Sequence, residues 1–237
     1  MSFLAKPLGW LLTWTYDFIG NYGIALVILT AAVKFALYPL YKKQILSMSR
    51  MAEVAPKMTE IQRKYANDRQ LQQQKMMELQ KEEGYNPMAG CLPMIVQMIV
   101  IFGLFALLRN PIQFMGDSSG MIFAVHESFL WIQDLSQPDK WILPIAAGVA
   151  TYFSFTMTQK AQGGDAANAA MGGAQGMMKS MKYIFPVMIV LMARSYPAGL
   201  AIYWFFGQVI QIFFNLRFNA LKKKLKEERE KKKGKKK

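Results

Sequence analysis

The apolar residues of this chain are gathered into long blocks instead of being spaced along single helical faces. A block of about 17 to 20 apolar residues makes a helix long enough to cross a bilayer core of about 30 Å. Five blocks of this kind, of which the fourth is the shortest, predict an all-α integral membrane protein with five transmembrane helices. The predicted spans are residues 21–41, 91–109, 140–158, 180–195 and 198–216.

The first long polar segment, residues 42–90, has the pattern of two helices. Its apolar side chains recur at intervals of three and four residues, which places them on one helical face. A break follows at Asn67-Asp68, and Gly84 marks the end of a second run. We therefore expect a cytosolic helical hairpin, with a methionine-rich stripe that is either its core or an adaptable binding surface. The stripe consists of Met48, Met51, Ala55, Met58, Ile61 and Tyr65.

The other segments outside the spans are assigned from their composition. Residues 1–20 lack the small-residue cleavage site of a signal peptide. Trp10 and Trp14 suit the headgroup region, so we expect an external interfacial amphipathic helix here. The remaining predicted segments are an external loop at 110–139, a cytosolic loop at 159–179 and a basic cytosolic tail at 217–237.

Basic residues are distributed unevenly along the chain, which carries 29 Lys+Arg against 15 Asp+Glu. Residues 42–90 contain nine of them and residues 217–237 contain twelve, whereas residues 110–139 contain none. Because basic loops remain in the cytosol, this predicts an N-terminus outside and a C-terminus in the cytosol, with Lys140 and Arg194 as outer exceptions. The basic tail fits either an anionic lipid surface or the phosphates of RNA.

Lys34 is the charged residue that lies in the interior of the apolar blocks. A lysine at the bilayer centre costs about 2.5 to 3.5 kcal/mol on insertion scales, so such a residue usually faces a water-filled cavity. Gln97 and Gln208 are polar amides at similar depth in two other blocks, and the three side chains predict a hydrophilic groove for substrate. The alternative is that the Lys34 amine reaches the cytosolic interface. Against this, helix side chains tilt toward the N-terminus, which is here the outer side.

Other candidate sites in the sequence have simpler explanations. Gly116-Asp117-Ser118-Ser119-Gly120 matches the letters of a nucleophile elbow, but such an elbow needs a preceding strand, and a turn explains the residues better. His126 is the sole histidine and Cys91 the sole cysteine, which leaves too few ligands for a zinc site. We expect no catalytic residue, no metal site and no cofactor, and therefore no enzyme.

Short motifs follow one another along nearly the whole chain, and each is weak alone. They are Asn21-Tyr22-Gly23, Tyr38-Pro39-Leu40, Pro56-Lys57, Asn86-Pro87-Met88-Ala89-Gly90-Cys91-Leu92-Pro93 with Gln97-Met98, Trp131-Ile132-Gln133-Asp134-Leu135, Ile142-Leu143-Pro144, and Pro197-Ala198-Gly199-Leu200 with Tyr203-Trp204. In their order and spacing they resemble the YidC/Oxa/Albino family of membrane protein insertases.

This resemblance implies a five-helix bundle around a hydrophilic groove that is open to the cytosol and to lipid. It implies an insertase or chaperone that moves weakly hydrophobic membrane proteins into the bilayer without nucleotide hydrolysis. In the family an arginine of the first span meets the incoming chain; Lys34 stands at the matching position and keeps the charge without the guanidinium fork. Met98 and Tyr203 match the family's apolar slide, along which a substrate helix leaves for lipid.

The resemblance also implies a location and partners. The location is the bacterial cytoplasmic (inner) membrane, with a multi-pass chain. The partners are nascent membrane proteins, the ribosome through the hairpin and basic tail, the Sec translocon and anionic lipids, with no small-molecule substrate. Relatives from outer-membrane organisms commonly carry a large external domain and an extra N-terminal span, so the chain is either a compact form or a core fragment.

Two rival functions fit a polar residue inside a helix bundle. A transporter or channel is one, although transporters usually show internal repeats and paired ion sites, and the sequence displays neither. An assembly scaffold for membrane complexes is the other, and it is compatible with insertion. Insertion of a client into liposomes that contain only this protein separates an insertase from a scaffold.

Overall fold

The computed structural model describes residues 2–84, 92–110, 113–114, 119–161 and 174–234, and within them every regular element is a helix. Extended pairing in these residues is limited to one isolated bridge between Phe129 and Ile132. Cys91 and residues 116–118 of the expected turn lie outside the described residues. The helices are α1 Ser2–Ile19, α2 Tyr22–Ala36, α3 Tyr38–Lys64, α4 Arg69–Glu83, α5 Leu92–Arg109, α6 Ser119–Ala124, α7 Ile142–Ala161, α8 Ala174–Ala193 and α9 Ala198–Gly234.

The chain forms two compact units, and several of the long helices contribute residues to both. The first unit contains Met1–Tyr38, Pro93–Ser154 and Tyr183–Gln211. The second unit contains Pro39–Leu92, Phe155–Lys182 and Ile212–Lys237.

The first unit is built on an apolar core in which leucine side chains from α1, α2 and α5 are buried. Leu12, Leu26, Leu29 and Leu104 are fully covered there. Around this core, large apolar side chains of the same helices remain exposed; among them are Phe3, Phe18, Ile28, Phe35, Ile99 and Phe102. An apolar core beneath an exposed apolar surface is favoured when a protein is surrounded by lipid instead of water.

The predicted first span, residues 21–41, is divided between two helices. Asn21 caps the start of α2 by accepting a hydrogen bond from the backbone N–H of Ile24. At the other end α2 stops at Ala36, and α3 begins at Tyr38. Pro39 explains the break, because it has no N–H for a helical bond and restricts the residue before it, yet is tolerated in a first helical turn.

In the second unit, α3 and α4 lie in the segment for which the sequence predicts a helical hairpin. The Asp68 carboxylate accepts hydrogen bonds from the backbone N–H groups of Gln70 and Leu71, at 3.1 Å and 2.9 Å, and so caps α4. Gly84 ends α4 in the left-handed conformation, with φ 61°. Both turn signals read from the sequence are therefore found at the expected residues.

The apolar stripe of the hairpin is in part its core. Ala55 and Met58 are buried on α3 against Leu79 of α4, whereas Tyr65 is half-buried. The side chains of Met48 and Met51 lie outside the described residues. Elsewhere in this unit, Asn215 of α9 is fully buried and donates a 2.8 Å hydrogen bond to the Thr158 hydroxyl of α7.

By length and composition, among the described residues, Ala198–Ala220 of α9 is a helix able to cross a membrane, with a mean hydropathy of 1.4. Three further apolar helices are shorter, with 10–17 residues each; they are Tyr22–Ala36, Ile95–Arg109 and Ser180–Ala193. The expectation of five complete spans therefore stays a prediction.

Candidate functional site

Lys34 is buried inside the first unit, where its side chain is 3% exposed. It lies near the end of α2, and its ammonium Nζ donates a hydrogen bond to Gln97 Oε1 of α5 at 3.2 Å. Gly207 of α9 leaves room for the lysine chain, because a Cβ at this glycine would stand 3.2 Å from Lys34 Cε. A cation is thus held among α2, α5 and α9, which contribute residues to one apolar core.

Gln97 links the lysine to a third polar group. Its side-chain amide donates to the Tyr203 hydroxyl of α9 at 3.5 Å, while its carbonyl oxygen accepts from Lys34. Tyr203 is 1% exposed, so the hydroxyl is reached from within the unit. Lys34, Gln97 and Tyr203 therefore form one polar cluster that joins α2, α5 and α9.

The other two predicted site residues are Gln208 and Met98. Each is adjacent in the chain to a residue of the site, but the surroundings of the two side chains differ. Gln208 is half-buried on α9, directly after the glycine that flanks Lys34. Met98 follows Gln97 on α5 and is 42% exposed. The predicted apolar pair thus differs in burial, since Met98 faces the surroundings of the unit and Tyr203 carries its hydroxyl into the polar cluster.

A further residue beside Lys34 belongs to this site although it was not among the sequence candidates. Thr30 is fully buried one helical turn before Lys34, and its hydroxyl donates to the Leu26 carbonyl at 2.7 Å. The Cγ2 methyl of Thr30 would also contact a Cβ added at Gly207, at 3.7 Å. The signal was available in the sequence, since residues four apart lie on the same helix face.

A second polar link in the first unit joins α9 to α7. The indole Nε1 of Trp204 on α9 donates to the Thr151 hydroxyl of α7 at 2.9 Å, and Thr151 is buried. That hydroxyl in turn donates to the Ala147 carbonyl at 2.6 Å. In a membrane interior, hydrogen bonds of this kind between helices add about 0.6 kcal/mol on average.

Glu127, in the loop between α6 and α7, fixes the start of α2. Its Oε2 accepts a 2.8 Å hydrogen bond from the backbone N–H of Tyr22, and its Oε1 accepts from the Tyr16 hydroxyl of α1. The hydrogen bond to this carboxylate raises the pKa of Tyr16 to about 12. No pattern in the sequence indicates the contact, because Glu127 and Tyr22 are 105 residues apart.

The rest of this loop is closed by short polar contacts. The His126 Nδ1 lies 3.1 Å from Asp134 Oδ2 and 3.0 Å from the Ser136 hydroxyl. Burial opposes ionisation of Asp134, but the hydrogen bonds from Ser136 and His126 outweigh it and hold its pKa below the usual value. Since serine and aspartate reach the same ring nitrogen, the trio cannot relay a proton as a hydrolase triad does.

Lys34 and Gln97 give the first unit a buried polar contact between a charged and an amide group. Across the residues that the structure describes, no three His, Cys, Asp or Glu side chains are grouped to hold a metal ion. The Lys34 ammonium offers charged donors, and Gln97 offers an amide with both a donor and an acceptor.

Comparison with known proteins identifies the relatives of this chain. The sequence profile described as "60Kd inner membrane protein" matches residues 14–232. A membrane protein insertase YidC of Fusobacterium nucleatum is 37% identical over 223 residues, which cover 92% of this chain and 98% of that protein. The membrane protein insertase YidC of Oceanobacillus iheyensis is 38% identical over 219 residues, covering 90% of this chain and 81% of the relative.

Other relatives are longer than this chain. The membrane protein insertase YidC of Wolinella succinogenes is 36% identical over 228 residues, and the match spans 94% of this chain but 39% of that protein. Among solved structures, an active YidC insertase crystal structure with its first transmembrane domain resolved is similar with a TM-score of 0.62 and 26% identity, over 88% of this chain and 44% of that one. The chain belongs to the 60Kd inner membrane protein family.

Proposed function

We propose that this chain is a membrane protein insertase and chaperone, which moves weakly hydrophobic membrane proteins from the cytosol or the ribosome into the bilayer without nucleotide hydrolysis. The observation that carries this proposal is the buried Lys34 ammonium bonded to Gln97 inside an apolar helical unit. The names of the relatives, membrane protein insertase YidC, support the same conclusion.

The proposed architecture has five transmembrane helices around a polar groove that is open to lipid. In it, five segments span the inner membrane, with the N-terminus outside and the C-terminus in the cytosol. These segments are residues 21–41, 91–109, 140–158, 180–195 and 198–216. The uneven distribution of Lys and Arg supports this orientation. Residues 1–20 lie on the outer surface, 110–139 form the external loop, and 42–90, 159–179 and 217–237 face the cytosol.

The groove lowers the free-energy barrier to moving the polar end of a client into the bilayer. A polar group that enters hydrocarbon without a hydrogen-bond partner costs several kcal/mol. In the groove, Lys34, Gln97 and Gln208 replace part of the lost water with charged and amide groups. A client end that carries carboxylates gains most, because hydrogen bonds between ionised groups are roughly twice as strong as neutral ones.

The client supplies the driving force. Each Leu, Ile, Phe or Val contributes about 0.3 to 0.6 kcal/mol at the bilayer centre, so one span of the client suffices to make the transfer favourable. Met98 is the exposed apolar surface along which the client helix leaves for lipid. Tyr203 stands at the boundary of this path, since its hydroxyl meets Gln97 while its ring lies in the apolar core.

The cytosolic segments are proposed to receive clients. The hairpin of α3 and α4, together with the basic tail, contacts the translating ribosome through its RNA phosphates. The same tail holds anionic lipids when no ribosome is present. The Sec translocon is a further proposed partner.

Reconstitution into liposomes tests this function. Two clients that differ only in their external tail, one with two added aspartates and one neutral, are presented to vesicles that contain the full chain alone. Wild-type protein should insert both clients. Lys34→Ala should slow the insertion of the acidic client by roughly tenfold, because one charge-assisted hydrogen bond is lost. The exposed Lys6 of α1 gives the matched control, Lys6→Ala, which should slow neither client.

Three results would count against the proposal. Equal slowing of both clients by Lys34→Ala would remove the role of charge. No insertion by wild-type vesicles would favour an assembly scaffold. Flux of small solutes or ions through the same vesicles, reduced by Lys34→Ala, would favour a transporter or channel.

A further inference from the structure

A cavity of about 330 Å³ lies in the first unit where α5 ends and α9 begins, apart from the polar cluster around Lys34. Its size falls in the range of small-molecule sites, about 300–1,000 Å³. Most of its lining is apolar. The lining residues are Phe105, Leu108, Arg109, Ser195, Tyr196, Pro197 and Leu200.

Arg109 supplies the one charge among these lining residues. It is exposed at the last turn of α5, and its guanidinium carbon stands 5.8 Å from the centre of the Phe105 ring. Phe105 in turn packs edge-to-face on Tyr196, with ring centres 5.2 Å apart. The two rings therefore form one wall of the cavity and support the arginine at its rim.

The position of this arginine calls for an anionic partner. Like Lys140 and Arg194, it lies at the outer end of a predicted span, where basic residues are disfavoured. Arg194, the next outer arginine along the chain, is stacked 4.0 Å over the Trp141 ring. Arg109 lies farther from its ring and also lines an apolar cavity, and its planar fork matches the geometry of a phosphate.

We propose that this cavity binds one anionic phospholipid of the outer leaflet. The phosphate pairs with the Arg109 guanidinium at the level of the headgroups, and part of one acyl chain lies against Leu108, Phe105 and Leu200. A lipid fits better than a soluble anion because the lining other than Arg109 is mainly apolar. An acyl chain leaves the bilayer for this lining without exposing apolar surface to water, since lipid tails and leucine side chains are equally apolar. The site is independent of the insertase activity proposed above.

Photo-crosslinking locates the lipid. The full chain is reconstituted in phosphatidylcholine vesicles that contain a small fraction of a photoreactive lipid. In one preparation this lipid is phosphatidylglycerol, and in the other it is phosphatidylcholine; both carry the photoreactive group in the acyl chain. Labelled peptides are then mapped by mass spectrometry. This readout separates the cavity from the basic tail, which also attracts anionic lipid. We expect phosphatidylglycerol to label the cavity segments of α5 and α9 more strongly than phosphatidylcholine does.

Variants decide which groups hold the lipid. Arg109→Gln should reduce the phosphatidylglycerol labelling of the cavity by roughly tenfold, toward the level of phosphatidylcholine, as expected for loss of a charged hydrogen bond. Arg109→Lys keeps a point charge and should retain part of the preference. Leu200→Trp fills the cavity and should reduce labelling by both lipids. Arg217→Gln, in the tail, should leave the cavity labelling unchanged.

Other outcomes would overturn the proposal. Equal labelling by the two lipids in the wild-type protein would show that the cavity does not select an anionic headgroup. Binding of glycerol phosphate to the cavity as tightly as phosphatidylglycerol would identify a soluble anion as the ligand, because the acyl chain would then add nothing. A preference that persists in Arg109→Gln, with unchanged thermal unfolding, would remove the arginine from the site.

Discussion

The Lys34 ammonium on α2 and the Gln97 amide on α5 are joined by a hydrogen bond of 3.2 Å inside the first unit. Gln97 uses its other end on the Tyr203 hydroxyl. The glutamine therefore does two things at once: it accepts from the cation, and it ties that contact to α9. Its removal affects the charge and the helix packing together.

Gln97→Leu should lower both stability and insertion. The leucine is shorter and accepts no hydrogen bond, so Lys34 loses a partner whose contribution is about 1.5–3 kcal/mol for a charged group. Chemical unfolding in detergent measures the stability, and the acidic and neutral clients measure insertion. Gln133→Leu alters an exposed glutamine of the loop between α6 and α7 and should leave both within error. Unchanged stability in Gln97→Leu would contradict the contact.

Gly207 should tolerate only a small side chain. A Cβ here stands 3.2 Å from Lys34 Cε, so Gly207→Ala requires the lysine to move by a few tenths of an ångström and should cost little. Gly207→Leu occupies the space of the lysine itself. Overpacking of this kind costs about 1–3 kcal/mol, and here it should also slow the acidic client by displacing the ammonium.

The control for this series is another helical glycine. Gly120 of α6 has open space around its missing Cβ, so Gly120→Leu should change neither stability nor insertion. An equal loss of stability and insertion in Gly207→Leu and Gly120→Leu would show that displacement of the lysine is not the cause. Thermal unfolding and the client assay are measured on all three proteins.

The hairpin turns and the unusual position of Lys34 were predictable because their signals are local. The Asn67-Asp68 break and Gly84 act through neighbouring backbone groups, and the structure places the cap and the left-handed glycine at these residues. Lys34 stood out because a charge inside an apolar block is costly wherever the helix packs. The division of the first span at Leu37 was also within reach, since Pro39 is in the sequence.

The contacts that the sequence did not predict all join distant segments. Glu127 meets Tyr22 across 105 residues, and Gln97 meets Tyr203 across 106. Periodicity shows which face of a helix is apolar, but it does not show which partner covers that face. Tyr203 was assigned to an apolar slide by resemblance alone, and its hydroxyl contact appears only once α5 and α9 are placed.

Glu127→Ala should destabilise the first unit by about 1.5–3 kcal/mol. The substitution removes the carboxylate that accepts from the Tyr22 N–H at the start of α2 and from the Tyr16 hydroxyl, and hydrogen bonds to charged groups are worth this much. The exposed Glu60 of the hairpin provides the control, Glu60→Ala, which removes the same charge from a solvated position. Hydrogen exchange at the start of α2 should rise only in the first variant, and an equal rise in both would contradict the specific contact.

Tyr16 should make this link sensitive to alkaline pH. Its pKa is raised from 10.0 to about 12 in the folded protein, because the neutral hydroxyl donates to the Glu127 carboxylate. A group whose pKa is raised on folding stabilises the protein fully below its unfolded value, and this stabilisation is lost as the pH rises through the folded value. The gap in unfolding free energy between wild type and Tyr16→Phe should therefore be constant below pH 10 and shrink between pH 10 and about 12. A gap that stays constant across this window would show that the hydroxyl does not act through its proton.

Asp68→Ala should loosen α4 without disturbing the lysine site. Asp68 caps α4 through the N–H groups of Gln70 and Leu71, and loss of such a cap costs about 0.5–2 kcal/mol. Hydrogen exchange should increase in residues 69–83, while the insertion of a client supplied as a free polypeptide stays near the wild-type rate. If the hairpin receives ribosomes, the affinity for ribosomes that carry a nascent membrane protein should fall in the same variant. Asp17→Ala, an exposed aspartate of α1, is the control for the loss of one negative charge. A fall in ribosome affinity in both variants would assign the effect to charge, whereas a fall in Asp68→Ala alone would assign it to the folded hairpin.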